Sequence, residues 1–178
     1  EQIEQYEREG YVSPVRIMAE SDAVGLRVQT EAFEAAQGKP IHGNQKTKCG
    51  LLLPWVYGLV TNKELLDAVE DLIGPDILCW GASFFTKKAN DPRFISWHTD
   101  SFYYAFDPAE TLTAWFSFNE STVESGCVRY IPGSHKILAI HDIKPDPGNL
   151  AGVGQTVRGV DESKAVDAVL RAGHPTLS

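Results

Sequence analysis

The run Phe94-Ile95-Ser96-Trp97-His98-Thr99-Asp100 reads as a β-strand that ends in a His-x-Asp pair. Side chains alternate with a period of two along a strand, so His98 and Asp100 are expected to face the same way. One imidazole nitrogen and one carboxylate oxygen can then reach a single metal ion from one short segment. Joined by a second His from elsewhere, they would make the 2-His-1-carboxylate triad that leaves positions on Fe(II) open for oxygen chemistry. Alone the pair is a weak signal: with 5 His and 24 acidic residues in the chain, chance supplies about 0.7 of them. The surroundings have to carry the reading.

Working outward, the chain changes character at Gly74-Pro75. Beyond it, residues 77–86 and 111–118 are rich in β-branched and aromatic side chains and predict strands. Shorter extended runs are expected at 94–98, 127–131, 165–170 and from Thr176 onward. Residues 140–156 are rich in Gly, Pro and Asp and predict a long loop, such as a lid over a pocket. Before Gly74 the pattern is helical. Residues 1–9 place Ile3 and Tyr6 on one side and end at Gly10, a natural helix stop. Over 21–37, Val24, Val28, Ala32 and Ala36 recur at helical spacing and predict the buried stripe, with Gly38 closing the helix. Thr61-Asn62-Lys63-Glu64 reads as a capping box ahead of the stripe Leu65, Leu66, Val69 and Leu72. Helices followed by many short strands predict an α+β, mainly β chain: an antiparallel jelly roll with packed N-terminal helices. A parallel βαβ fold would need helices between the strands, and the middle of the chain supplies none. No Gly-rich phosphate loop and no internal repeat is present.

Composition bounds the function. The 178 residues fit one domain, 1–178, with 1–75 mostly helical and 76–178 forming the roll. A net charge of −8 with no basic block argues against a nucleic-acid partner. No apolar run approaches the length of a membrane span, and no signal-peptide pattern opens the chain. Cys49, Cys79 and Cys127 are odd in number and widely spaced, which suits reduced thiols in a cytoplasmic protein.

A set of segments in fixed order resembles a known family. They are Leu53-Pro54-Trp55, the helix 65–73 with its Gly74-Pro75 stop, Trp97-His98-Thr99-Asp100, and Thr113-Ala114-Trp115. The most specific is Gly126-Cys127-Val128-Arg129-Tyr130-Ile131-Pro132-Gly133-Ser134-His135. Together they look like the phytanoyl-CoA dioxygenase family of Fe(II)/2-oxoglutarate oxygenases. The resemblance implies a double-stranded β-helix and an enzyme that couples decarboxylation of 2-oxoglutarate, with O₂, to hydroxylation of a small organic substrate. Succinate and CO₂ are the implied coproducts.

Carried over residue by residue, the resemblance makes His98 and Asp100 iron ligands and puts Trp115 beside the 2-oxoglutarate. A cosubstrate lysine is expected at Lys46 or Lys48 and at Lys87 or Lys88, with Lys48 and Lys87 favoured. His135 is expected in a turn, His141 as a solvated loop residue, His174 in a turn and His42 facing solvent. The family's distal His ligand and its carboxylate-gripping Arg follow the Ala172-Gly173 turn, so both are expected beyond Ser178, with the last strands. Because Asp100 occupies the position that related halogenases vacate for chloride, hydroxylation is favoured over halogenation. A rival reading is a non-catalytic jelly-roll module that binds a small molecule. A weaker one is an isomerase or hydrolase using a redox-inert ion. Substrate identity and oligomeric state have no signature in the sequence.

Overall fold

A computed structural model describes residues 1–104, 106, 110–137, 139–144, 146–150 and 155–178. Six helices precede the sheet region: α1 (Gln2–Glu9), α2 (Glu20–Gln37), α3 (Asn44–Thr47), α4 (Cys49–Leu52), α5 (Pro54–Val60) and α6 (Lys63–Ile73). A one-turn helix, α7 (Ser101–Tyr104), follows the His-x-Asp pair. Helices α1, α2 and α6 fall where the punctuation predicted them. Gly10 and Gly38 close α1 and α2 in the left-handed region, at φ 81° and 68°, where a Cβ is disfavoured. Helix α6 starts one residue later than the expected box. Asn62, not Thr61, is the cap, and its side chain accepts the Leu65 N–H at 2.9 Å. The short helices α3–α5 and α7 escaped the reading because one or two turns cannot display a 3.6-residue period.

The stripe predicted for α2 is corrected. Val24, Val28, Ala32 and Ala36 are exposed, whereas Ala23 is fully buried and Leu26, Thr30 and Phe33 are half-buried. Both sets have helical spacing. Phe33 decides between them by setting its ring against Trp55 at 5.4 Å, beside a core of Cys49, Leu53 and Val56. The stripe of α6 is as expected: Leu65 and Val69 are buried, Leu66 and Leu72 half-buried.

The described strands make three two-stranded antiparallel ladders. Strand β1 (Ala114–Trp115) pairs with β6 (Thr176–Leu177), β2 (Arg129–Tyr130) with β5 (Val166–Asp167), and β3 (His141–Ile143) with β4 (Gln155–Val157). Four expected strands therefore appear where anticipated but shortened. Three expectations change, the first being that residues 94–98 hold no strand beyond an isolated bridge at Phe94. Residues 77–86 hold no ladder; Leu78 and Trp80 are 82% and 66% exposed, although the Phe84 N–H donates to the Lys46 carbonyl. The expected loop 140–156 carries β3 and β4 and is thus a hairpin, while its Pro145 and residues 151–154 lie outside the described set.

The centre of the fold is β6. Leu177 exchanges two backbone hydrogen bonds with Val12 (2.8 and 3.0 Å), and Ser178 exchanges two with Thr113 (2.6 and 3.0 Å). Thr176 and Leu177 are wholly buried, and Leu177 joins Val12, Val15, Ile17, Leu65 and Val69 in the main apolar cluster. Near it, a Cβ on Gly10 would lie 2.3 Å from Nδ1 of His135, so the missing side chain lets that imidazole sit close.

Two outcomes follow from this packing. Leu177→Ala should cost about 2–5 kcal/mol in urea unfolding, the range for opening a cavity in a filled core. Gly10→Ala should cost more than about 1 kcal/mol from its φ alone, with the His135 collision added. A neutral Gly10→Ala variant would mean that His135 is not packed there.

Candidate metal centre

The His-x-Asp segment is not a regular strand. Among the described residues Phe94 alone of this segment forms a β-bridge, in parallel with Asn149, and the chain turns at Asp100 into α7. The two side chains still converge, because local hydrogen bonds take over the role assigned to strand alternation. His98 Nδ1 sits 2.7 Å from the Ser96 carbonyl, which can only accept, so Nδ1 carries the proton and Nε2 presents its lone pair. Asp100 Oδ2 accepts the Thr113 hydroxyl at 2.5 Å. The remaining donor atoms, His98 Nε2 and Asp100 Oδ1, face one another at 3.1 Å.

Two lone pairs at that separation repel unless a cation lies between them. A proton serves in the free protein. The ion pair with Asp100 raises the His98 pKa, outweighing the burial that opposes it, and the Ser96 carbonyl adds to the rise. For Asp100 burial is the largest single influence and acts upward, yet the hydrogen bonds from His98 and Thr113 together hold the carboxyl below its usual range. A divalent ion satisfies the same pair: adjacent ligands about 2.1 Å from an octahedral ion stand about 3 Å apart. The chemistry of this donor set, one neutral imidazole and one carboxylate, suits Fe(II). Among the described residues no third His, Cys, Asp or Glu joins them.

Aromatic rings wall the pair. Tyr103 meets the His98 ring edge-on at 5.7 Å, and burial together with the charge of Asp100 raises the pKa values of Tyr103 and Tyr104. Trp115 is half-buried two residues after Thr113, hence on the same face of β1 as the hydroxyl that holds Asp100. Its ring lies 5.8 Å from Phe85, over which Lys46 Nζ sits at 5.6 Å from the ring centre. Of the two favoured lysines, Lys48 is exposed between α3 and α4, and Lys87 is exposed near Asp91. Lys46 is the lysine that approaches the Trp115 side.

The other histidines divide. His135 contacts α1, Nε2 lying 3.3 Å from the Glu7 carbonyl, and His174 lines a cavity with Arg16 and Arg171. His42 is exposed, as expected. His141 is not a solvated loop residue: it is half-buried on β3, stacks on Phe102 at 4.2 Å, and reaches Thr99 between the candidate ligands. Nothing local in the sequence marks it, since its partner lies 42 positions away.

Comparisons with known proteins bear on this geometry. The family model described as "Phytanoyl-CoA dioxygenase (PhyH)" matches residues 6–177. The human peroxisomal phytanoyl-CoA dioxygenase is 28% identical over 133 residues, covering 68% of this chain and 39% of that protein. The chain spans less than half the length of the curated relatives it matches. Among solved structures, the apo non-heme monooxygenase ThoJ superposes with a TM-score of 0.80 at 24% identity, covering 99% of this chain and 67% of that one. The epimerase SnoN, solved with Fe³⁺, α-ketoglutarate and a nogalamycin, gives 0.69 at 23% identity, covering 99% and 72%. These neighbours share the fold. With the match running over residues 6–177, this chain belongs to the phytanoyl-CoA dioxygenase family.

Proposed function

We propose that the protein is an Fe(II)- and 2-oxoglutarate-dependent dioxygenase that hydroxylates a small organic substrate, releasing succinate and CO₂. The observation that carries this reading is the 3.1 Å approach of His98 Nε2 to Asp100 Oδ1, each side chain held on its other side by a fixed partner. When bound, ferrous iron with 2-oxoglutarate and O₂ supplies the oxidising chemistry, which amino-acid side chains lack. The chain's own residues bind and orient. His98 offers Nε2 because Ser96 holds the proton on Nδ1, and Asp100 offers Oδ1 because Thr113 occupies Oδ2. Trp115 gives a flat wall that keeps water from the 2-oxo acid, and a lysine of the 46–48 segment or Lys87 meets its charge. In this reading residues 1–178 are one oxygenase domain, with residues 76–178 contributing to a jelly roll.

Hydroxylation is preferred to halogenation because Asp100 fills the coordination position a halide would need. Epimerisation is a second reading favoured by the likeness to SnoN, and the fate of ¹⁸O₂ separates the two: hydroxylation leaves one labelled atom in the product, epimerisation none. No helix among the described residues is long and apolar enough to cross a membrane. The three free cysteines, one of them exposed, fit the reducing cytoplasm we assign.

Full-length protein with Fe(II) and 2-oxoglutarate should release succinate in air, slowly and without added substrate. Asp100→Ala should lower this to background while leaving the unfolding curve within about 1 kcal/mol, since it removes a half-buried group from a site that needs a cation. Retained turnover would remove the ligand role. Trp115→Ala should raise the 2-oxoglutarate requirement more than it lowers the maximal rate. Titration calorimetry with Mn(II) addresses the binding-module alternative, which predicts no metal heat in the full-length protein.

A further inference from the structure

The β3–β4 hairpin lies along the segment that carries the candidate ligands and holds it at several points. The Phe94 N–H donates to the Gly148 carbonyl (3.0 Å), and the Val157 N–H donates to the Trp97 carbonyl (2.8 Å). The buried Asn149 amide donates to the Ser96 hydroxyl at 2.7 Å. The last hold is His141. Its Nε2 lies 3.3 Å from the Thr99 N and 3.2 Å from the Thr99 Oγ1, and its ring stacks on Phe102 at 4.2 Å and 22°.

The Thr99 amide can only donate, so Nε2 accepts and the ring proton is on Nδ1. That Nδ1 is sealed from solvent and has no hydrogen-bond partner among the described residues. A buried, unpartnered N–H is unfavourable, and native structures retain one where the rest of the group is held for a reason. Here the held atom is Nε2, and what it grips is the peptide between the two candidate ligands. Fixing the Thr99 N–H fixes the plane of the His98–Thr99 peptide, and with it the direction in which the chain leaves the His98 Cα towards Asp100. The Ser96 carbonyl and the Thr113 hydroxyl orient the side chains but leave that peptide plane free.

We infer that His141 is a positioning residue for the metal pair: by accepting the Thr99 N–H from the β3–β4 hairpin it sets the separation at which His98 and Asp100 meet an ion. The inference rests on the metal-binding reading above. It adds a coupling between that pair and a hairpin 42 positions downstream. Truncating such an outer partner weakens metal binding by about 10–100-fold in known sites.

The test compares His141→Gln, which supplies a carbonyl acceptor, with His141→Leu, which fills similar space and accepts nothing. It uses the full-length protein and two readouts, Mn(II) affinity by calorimetry and amide exchange at Thr99 without metal. In His141→Leu, Thr99 should exchange at least about tenfold faster and Mn(II) should bind at least about tenfold more weakly. His141→Gln should restore both towards wild type, which mere filling of space would not achieve. Wild-type Mn(II) affinity in a folded His141→Leu variant overturns the inference, as does a folded His141→Gln as weak as the leucine variant. If the leucine variant does not fold, the glutamine variant and the protection of Thr99 in the wild type decide: an unprotected amide refutes the clamp. Should the wild type bind no Mn(II) while the exchange pattern holds, the metal reading fails and the clamp stands.

Discussion

The Asp100 side of the candidate centre depends on one buried strand with hydrogen bonds on both edges. Strand β6 lies between Val12 on one side and the Thr113–Trp115 segment on the other, and its Thr176 and Leu177 have no exposed surface. A two-residue ladder in water is worth little. Burial changes the balance, because unmade backbone hydrogen bonds would be costly in an apolar surround. The same strand positions Thr113, whose hydroxyl holds Asp100, and Ser178 Oγ lies 3.4 Å from the Tyr130 hydroxyl. Tyr130 in turn stacks on Tyr11 at 4.4 Å, tying the N-terminal segment to β2. The apolar core and the polar site thus share a support.

His98 and Asp100 meet as an ion pair, and each is braced on its other side. Each member of the His98–Asp100 pair is tethered away from the other by a neighbour, yet the free atoms are aimed at one another. The pair itself is partly shielded, although the nearby rings of Phe102 and Tyr103 are exposed. The ion pair explains why His98 holds its proton more firmly than a free imidazole while Asp100 gives its proton up more readily.

The sequence reading succeeded where a signal was local and failed where it was not. The stops at Gly10 and Gly38 are properties of single residues, and the α6 stripe repeats over three turns. On α2 two faces had equal claim, Val24-Val28-Ala32-Ala36 and Ala23-Leu26-Thr30-Phe33, and only the position of Trp55 chose between them. Residues 77–86 have strand composition but no paired neighbour among the described residues, which shows that composition sets a preference and not a partner. The hairpin within 140–156 was hidden because its Pro, Gly and Asp residues mark turns whether or not short strands flank them.

By itself the sequence determined the helical first part and strand-bearing second part, the acidic charge, and the family, through motifs whose order and spacing survive in one dimension. It also named His98 and Asp100, because they are two residues apart. Tertiary structure decided what else holds them: Thr113, just ahead of β1 and bonded to Ser178 just after β6, and His141 from the hairpin. It likewise brought Lys46 towards the Trp115 side through Phe85. The physical reason is range. Capping, turns and alternation act over a few residues and leave a mark in the chain, whereas a hydrogen bond across 42 positions depends on how separate segments pack and leaves none.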